Sequence, residues 1–383
     1  MFWKRITKGR RHQTPEDVLV EDPVDIRLKQ SLLILACERF VKLTVRKQIS
    51  GLKEEFESLK RYIPPDPSAV AFMRNKAKNR YADIPCYDKT RVILKTHAAK
   101  EAYIHANYVN SSLCLLPNKY ICTQGPMENT ILDFWRMIIQ EKVRHIVMLC
   151  QPIEAGKSKC AVYYPVNKGE TRKFGDITVT VIGDKQVENR KHFRILEMTV
   201  SSPACPEFKI QHYRCIDWPD FGVPTSALGI LRILHEIRSH RTPVVAHCSA
   251  GVGRTGTLIA IEVGIRCIVE RKDFQVLDIA KELRAQRANS IQTEGQYLFI
   301  YRVLMEYVKS RKKMPEIDQF TTQYTEYLAQ QNRQRSPLVF TPTLSPAMKK
   351  SYTPNNHDSP PPMVPQRRRL SELMRTNDIS GNP

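Results

Sequence analysis

The chain holds 383 residues, 42% hydrophobic and 26% charged, enough for one large domain with appendages or two ordinary ones, which excludes a wholly disordered polypeptide. Its 60 Lys and Arg against 39 Asp and Glu give a net charge of +21. The surplus is spread, +5 over residues 1–50 (11 basic, 6 acidic), +5 over 311–383 (11 and 6) and +11 between (38 and 27), which argues against nucleic acid as a partner and for a basic surface that accepts anionic ligands.

The N-terminal MFWKRITKGRRHQ is basic but has no apolar stretch behind it, so it does not read as a secretory signal. The apolar run Leu32–Cys37 falls far short of the roughly 20 residues a membrane span needs. A cytoplasmic protein with no membrane span is therefore expected. Leu28, Leu32, Leu35, Phe40 and Leu43 recur at helical spacing and predict an amphipathic helix within a basic N-terminal segment, residues 1–50.

A folded body is expected over 51–310. Strand patterns run over Tyr120–Thr123, His145–Leu149, Ile177–Ile182, Phe193–Val200, Lys209–Cys215 and Val244–His247. Helical patterns cover Glu128–Lys142, Ser226–Ser239, Arg254–Val269, Val276–Arg287 and Thr293–Lys309. Neighbouring strands alternate with strand–helix units, which predicts one mixed sheet flanked by helices. From 311 onward, 10 of the 25 prolines fall in 73 residues among Ser, Thr, Asn and Gln. Such a segment reads as a mostly disordered tail, with room for a short helix about Phe320–Ala329. The ten cysteines form no CxxC pair, so zinc-ribbon and redox motifs are excluded and most are expected as free, packed thiols.

The informative window is Val244–Thr257, VVAHCSAGVGRTGT. A β-branched strand runs into Cys248, a glycine-bearing turn follows, and a helix starts near Arg254. Such a turn aims successive backbone N–H groups into one concavity, and the helix adds its positive end to the same spot. Arg254 can fork two hydrogen bonds to an oxyanion face. The pattern describes a cup for a dianion with a thiol at its base, and a helix N-terminus of this kind favours the thiolate. A buried strand-end cysteine beside an ordinary glycine turn is the bland alternative.

HCSAGVGRTG, Trp218-Pro219-Asp220-Phe221-Gly222-Val223-Pro224, Asn79-Arg80-Tyr81, Thr123-Gln124-Gly125-Pro126 and Gln292-Thr293-Glu294-Gly295-Gln296 stand in the order found in phosphotyrosine-specific, cysteine-dependent protein tyrosine phosphatases. The chain resembles a non-receptor member with a single catalytic domain, over roughly 51–310. That resemblance implies an α/β fold of the α+β type, a highly twisted mixed sheet flanked by helices, and an enzyme needing neither metal nor cofactor. It implies Cys248 as nucleophile, with Arg254 and the amides of Ser249, Ala250, Gly251, Val252 and Gly253 holding phosphate. Asp220 would be the general acid and then base, Gln292 would position water with Gln296 in support, and Thr255 would donate its hydroxyl to the Cys248 sulfur. His247 would order the loop and favour the thiolate. Tyr81 would wall the pocket and Asp83 hold the peptide backbone. Glu154, Lys159 and Trp218 would brace Arg254 and the Asp220 loop.

Departures from the family pattern are Ala82, His105, Ala155, Tyr164 and Asn289, none of which removes a catalytic group. Tyrosine-phosphorylated proteins are the expected partners, in intracellular signalling. A phosphotyrosine-binding scaffold without turnover and a dual-specificity or phosphoinositide phosphatase are the alternatives. In the tail, Pro362-Met363-Val364-Pro365-Gln366-Arg367 fits PxxPxR, the pattern of a segment that docks an SH3 groove.

Overall fold

In a computed structural model, which describes residues 23–95, 102–185, 192–220 and 222–335, the body is built on a nine-stranded mixed sheet. Its strands are β1 (Arg91–Ile93), β2 (Tyr103–Val109), β3 (Tyr120–Thr123), β4 (His145–Met148), β7 (Thr171–Phe174), β8 (Ile177–Lys185), β9 (Phe193–Ser202), β10 (Cys205–Cys215) and β11 (Val244–His247). A separate two-stranded hairpin pairs β5 (Ile153–Glu154) with β6 (Lys157–Ser158).

The order across the large sheet is β1-β2-β3-β11-β4-β10-β9-β8-β7. The four central strands, β3, β11, β4 and β10, pair in parallel, and antiparallel pairs flank them on both sides. Every residue of β3, β4 and β11 is buried, as strands covered on both faces must be. Their apolar, β-branched runs suit that place. β8 alternates buried and half-buried residues instead, the mark of a strand with one covered face.

The helices are α1 (Pro23–Lys60), α2 (Val70–Arg74), α3 (Ile131–Gln140), α4 (Ala227–His240), α5 (Gly253–Val269), α6 (Val276–Gln286), α7 (Glu294–Lys309) and α8 (Pro315–Arg335). Helix α5 is the hub: fifteen of its 17 residues are buried, and it packs on α1, α6 and α7. Its one buried carboxylate, Glu262, is held by a two-pronged bond from Arg238 of α4 at 2.9 and 2.5 Å. Nine of the ten cysteines are buried and all are free thiols, as expected of small hydrophobes.

Two expectations about the ends of the body need correction. The predicted helix exists, but it runs through residue 50 to Lys60, with a break at Gln48 (φ 55°, ψ 175°). Its leucine stripe does not face the core: Leu28, Leu32, Leu35 and Leu43 are exposed, whereas Ala36, Cys37, Phe40, Val41 and Thr44 are buried. Of the predicted stripe only Phe40 joins the core, and the buried face is the one that meets α5, α6 and α7. At the other end, folded chain continues past 311. Helix α8 buries Ile317, Phe320, Tyr324 and Tyr327, and the compact unit ends at Gln334. Proline density drew the expected boundary too early; Met314, Ile317, Phe320, Tyr324 and Tyr327 repeat every three or four residues. The SH3-type segment Pro362–Arg367 lies outside the described residues.

Candidate active site

β11 delivers Cys248 to the carboxyl edge of the parallel strands, and α5 begins five residues later. Gly251 makes the turn between them possible. It takes φ +70°, and a Cβ there would stand 1.9 Å from the Thr123 carbonyl oxygen. Only glycine fits such a position. Its N–H donates to the Cys248 sulfur at 3.2 Å. Gly125 is equally constrained: a Cβ would meet the carbonyls of Cys248 and Lys159 at 2.8 Å. Its N–H donates to the Ser249 carbonyl at 2.9 Å, which ties the Thr123–Pro126 segment to the turn.

Two carbonyls of this loop are taken up from behind by a side chain, that of Arg287. It is almost wholly buried and donates to the carbonyls of Gly251 (3.1 Å) and Ala250 (3.0 Å) and to Asn107 Oδ1 (2.7 Å). Nothing in the local sequence singles this residue out; it stands at the end of α6, and only the tertiary fold brings it to the loop. Arg80 has a similar role farther from the thiol, donating to the carbonyls of Gly125 (3.0 Å) and Pro126 (2.7 Å).

Arg254 is buried, and Glu154 of the β5–β6 hairpin clamps it at 2.6 and 2.9 Å. Burial alone would pull its pKa down, but the bond to Glu154 more than offsets this and holds the guanidinium firmly charged. It also donates to the Trp218 carbonyl (3.0 Å) and to Asp220 Oδ1 (3.2 Å). Lys159 meets the other oxygen of Asp220 at 2.5 Å, a bond that raises the lysine pKa. Trp218 is buried, with its indole N–H on the Gly222 carbonyl at 3.0 Å, and so anchors the loop that carries Asp220.

These side chains line one cavity of about 500 Å³, walled by Tyr81, Asp83, Lys159, Asp220, Cys248, Ser249, Ala250, Arg254, Gln292 and Gln296. Tyr81 reaches Ser249 Oγ at 2.8 Å. Gln296 is buried and accepts from the Gln292 N–H at 3.0 Å. Both glutamines crowd Gly253, where a Cβ would lie 2.5 Å from Gln292 Oε1. Thus Cys248, Arg254, Asp220, Glu154, Lys159, Tyr81, Gln292 and Gln296, scattered over more than 200 residues of sequence, converge.

Two expected details differ. Thr255 Oγ1 is buried with no hydrogen-bond partner, so the bond to the Cys248 sulfur comes from Gly251 instead. His247 is fully buried, its Nε2 on the Tyr163 hydroxyl (2.7 Å) and its Nδ1 on the Cys248 carbonyl (3.3 Å). Burial pushes its pKa down to about 4. The imidazole therefore bonds to the loop at the Cys248 carbonyl but adds no positive charge beside the thiol.

A thiol at a helix N-terminus, with a clamped arginine beside it, is an arrangement suited to holding an oxyanion. Comparison with known proteins narrows the class. The family model described as protein-tyrosine phosphatase matches residues 75–306, and the chain belongs to that family. Its relatives include tyrosine-protein phosphatase non-receptor type 9 of Rattus norvegicus, 33% identical over 303 residues, 73% of this chain and 50% of that protein. Non-receptor type 20 of Rattus norvegicus is 35% identical over 274 residues, covering 70% and 64%. Receptor-type tyrosine-protein phosphatase eta of Homo sapiens is 34% identical over 341 residues, covering 85% and 24%. The chain spans about half the length of the type 9 relatives. No described helix is long and apolar enough to cross a membrane.

Proposed function

We propose that this chain hydrolyses phosphotyrosine in proteins through a phosphocysteine intermediate. The observation that carries the reading is the joint placement of Cys248, Arg254 and Asp220 in one cavity walled by Tyr81. The Cys248 thiolate attacks phosphorus, and the bond from phosphorus to the tyrosyl oxygen breaks. Inward amides of Ser249, Ala250, Gly251, Val252, Gly253 and Arg254, with the Arg254 fork, take up the charge that spreads over the three equatorial oxygens. Phosphate replaces Asp220 on the outer nitrogen of Arg254, freeing that carboxyl group to protonate the leaving oxygen. Asp220 then draws a proton from the water that hydrolyses the intermediate, with Gln292 holding that water and Gln296 holding Gln292.

Tyr81 selects the substrate by its reach: an aromatic wall lets a long tyrosyl phosphate touch Cys248 and leaves a seryl phosphate short. Exposed Asp83 at the rim accepts backbone N–H groups of the peptide. A role in intracellular signalling follows from that substrate class. The segment Pro362–Arg367 is proposed as an SH3 ligand, testable with a 355–375 peptide against an SH3 panel.

The test is a panel of phosphotyrosine, phosphothreonine and phosphoinositide substrates with the full chain. Hydrolysis of phosphotyrosine alone is expected. Cys248→Ser should abolish turnover and keep phosphopeptide binding, and Asp220→Ala should lower kcat by about 10²–10⁴-fold. Binding without turnover in the wild-type chain would instead identify a scaffold.

A further inference from the structure

Behind the phosphate loop, and joined to the machinery just described through His247 alone, lies a second group of metal-ligating side chains. Cys150 follows β4 and Cys160 follows β6, so the two thiols flank the foot of the hairpin that carries Glu154. Their sulfurs and a ring nitrogen of His247 lie within 4.8 Å of one another, and all three residues are buried. Among the described residues no other set of His, Cys, Asp or Glu meets that condition. The hairpin foot is already pinched there, with the N–H groups of Lys159 and Cys160 on the Pro152 carbonyl at 2.8 and 3.3 Å.

We infer that Cys150, Cys160 and His247 form an inhibitory zinc site beneath the catalytic loop. Two thiolates and one imidazole are the soft, borderline donors that zinc prefers over harder cations. A tetrahedral ion with Zn–S of about 2.3 Å and Zn–N of about 2.0 Å spaces its donors roughly 3.5–3.8 Å apart. The three atoms need to close by roughly 1 Å at most to reach it. Charge also balances, because the dication and two thiolates sum to zero, so no net charge is buried. Contact with Cys160, and then burial, push the Cys150 thiol pKa up. As for any thiol ligand, binding releases protons: Zn²⁺ + 2 RSH gives Zn(SR)₂ + 2 H⁺, with neutral His247 as the third donor and no change of oxidation state.

The cost to catalysis follows from His247. That imidazole holds the Cys248 carbonyl and the Tyr163 hydroxyl. Recruiting one ring nitrogen to zinc takes it from one of these partners and loosens the loop that aims the amides. The substrate pocket itself is untouched, so kcat falls while KM stays.

The experiment uses the reduced full chain, with Co²⁺ as spectroscopic probe and Zn²⁺ as inhibitor. One equivalent of Co²⁺ should give thiolate-to-metal charge-transfer absorption that survives in Cys248→Ser and disappears in Cys150→Ser and Cys160→Ser. Zn²⁺ should lower kcat at least tenfold in the wild-type chain and leave Cys150→Ser, itself an active enzyme, unaffected. Absorption that vanishes in Cys248→Ser and persists in Cys150→Ser would overturn the inference, because the nucleophile would then be the ligand. If Cys150→Ser does not fold, X-ray absorption of zinc-loaded Cys248→Ser decides: two sulfur neighbours support the site, and one or none refutes it.

Discussion

At the scale of single residues, the loop around Cys248 shows how far chemistry can be read from neighbours in sequence. Strand, thiol, glycine turn, arginine and helix are contiguous, so the anion cup was legible. The side chains that hold the cup in shape were not. Arg287 is reached only through the packing of α6, and the neutrality of His247 only through its burial. Gly251→Ala should abolish activity, since its Cβ would overlap the Thr123 carbonyl. Steady-state kinetics on a variant that still melts cooperatively would check this. Arg287→Met should lower kcat more than it raises KM. It takes their donor from the Gly251 and Ala250 carbonyls and leaves Asn107 Oδ1 with the Cys86 thiol, at about 1–3 kcal/mol for a buried group left unpaired, so urea unfolding should show the loss as well. Thr255→Val separates two readings of an orphaned hydroxyl. Stability should hold or rise, because a buried hydroxyl without a partner stabilises nothing. Single-turnover kinetics should show slower breakdown of the phosphocysteine if that hydroxyl later serves the sulfur.

At the scale of elements, boundaries of strands and helices in the body agreed with periodicity to within a few residues. Strand β2, seven residues long with six of them buried, was not anticipated, and the short pieces β1, β5, β6, β7 and α2 carried too few residues for a pattern. Helix α1 teaches the opposite lesson, since a clear stripe of leucines ended on the solvent side. Hydrophobic spacing says that a helix has faces; the partner decides which face is covered. Unfolding measurements can test the assignment directly. Phe320→Ala in α8, where the ring is 1% exposed, should cost about 3–5 kcal/mol. Leu32→Ala in α1, where the side chain is 39% exposed, should change stability by less than about 0.5 kcal/mol. Similar losses at both positions would mean that α1 turns its leucines inward.

For the whole molecule, the most telling feature is a set of histidines buried without charge. Burial lowers the pKa of His105 to about 3 and those of His145 and His247 to about 4, and His212 is lowered as well. Each is neutral in both folded and unfolded chain above pH 6.5. Below that the unfolded chain binds protons that the folded one refuses, so stability falls as pH drops from 6.5 towards 4. For His247 alone the loss amounts to about 3 kcal/mol. Melting temperature should therefore decline steeply between pH 6.5 and 4.5. His105→Asn should flatten that slope, and an unchanged slope would show that other groups govern acid lability.

The position of β11 has a consequence for how the protein is made. It lies between β3 and β4, which do not pair with each other. Until it arrives, the middle of the sheet is a slot with two unsatisfied edges. Roughly 100 residues separate the end of β4 from the start of β11, and synthesis at about 5–20 residues per second leaves that slot empty for some 5–20 s. A nascent chain of this length presents open, apolar strand edges of the kind that chaperones guard. The strand that closes the slot is the one that brings in Cys248, so the proposed nucleophile and a completed sheet arrive together, and no half-made chain can carry the finished loop.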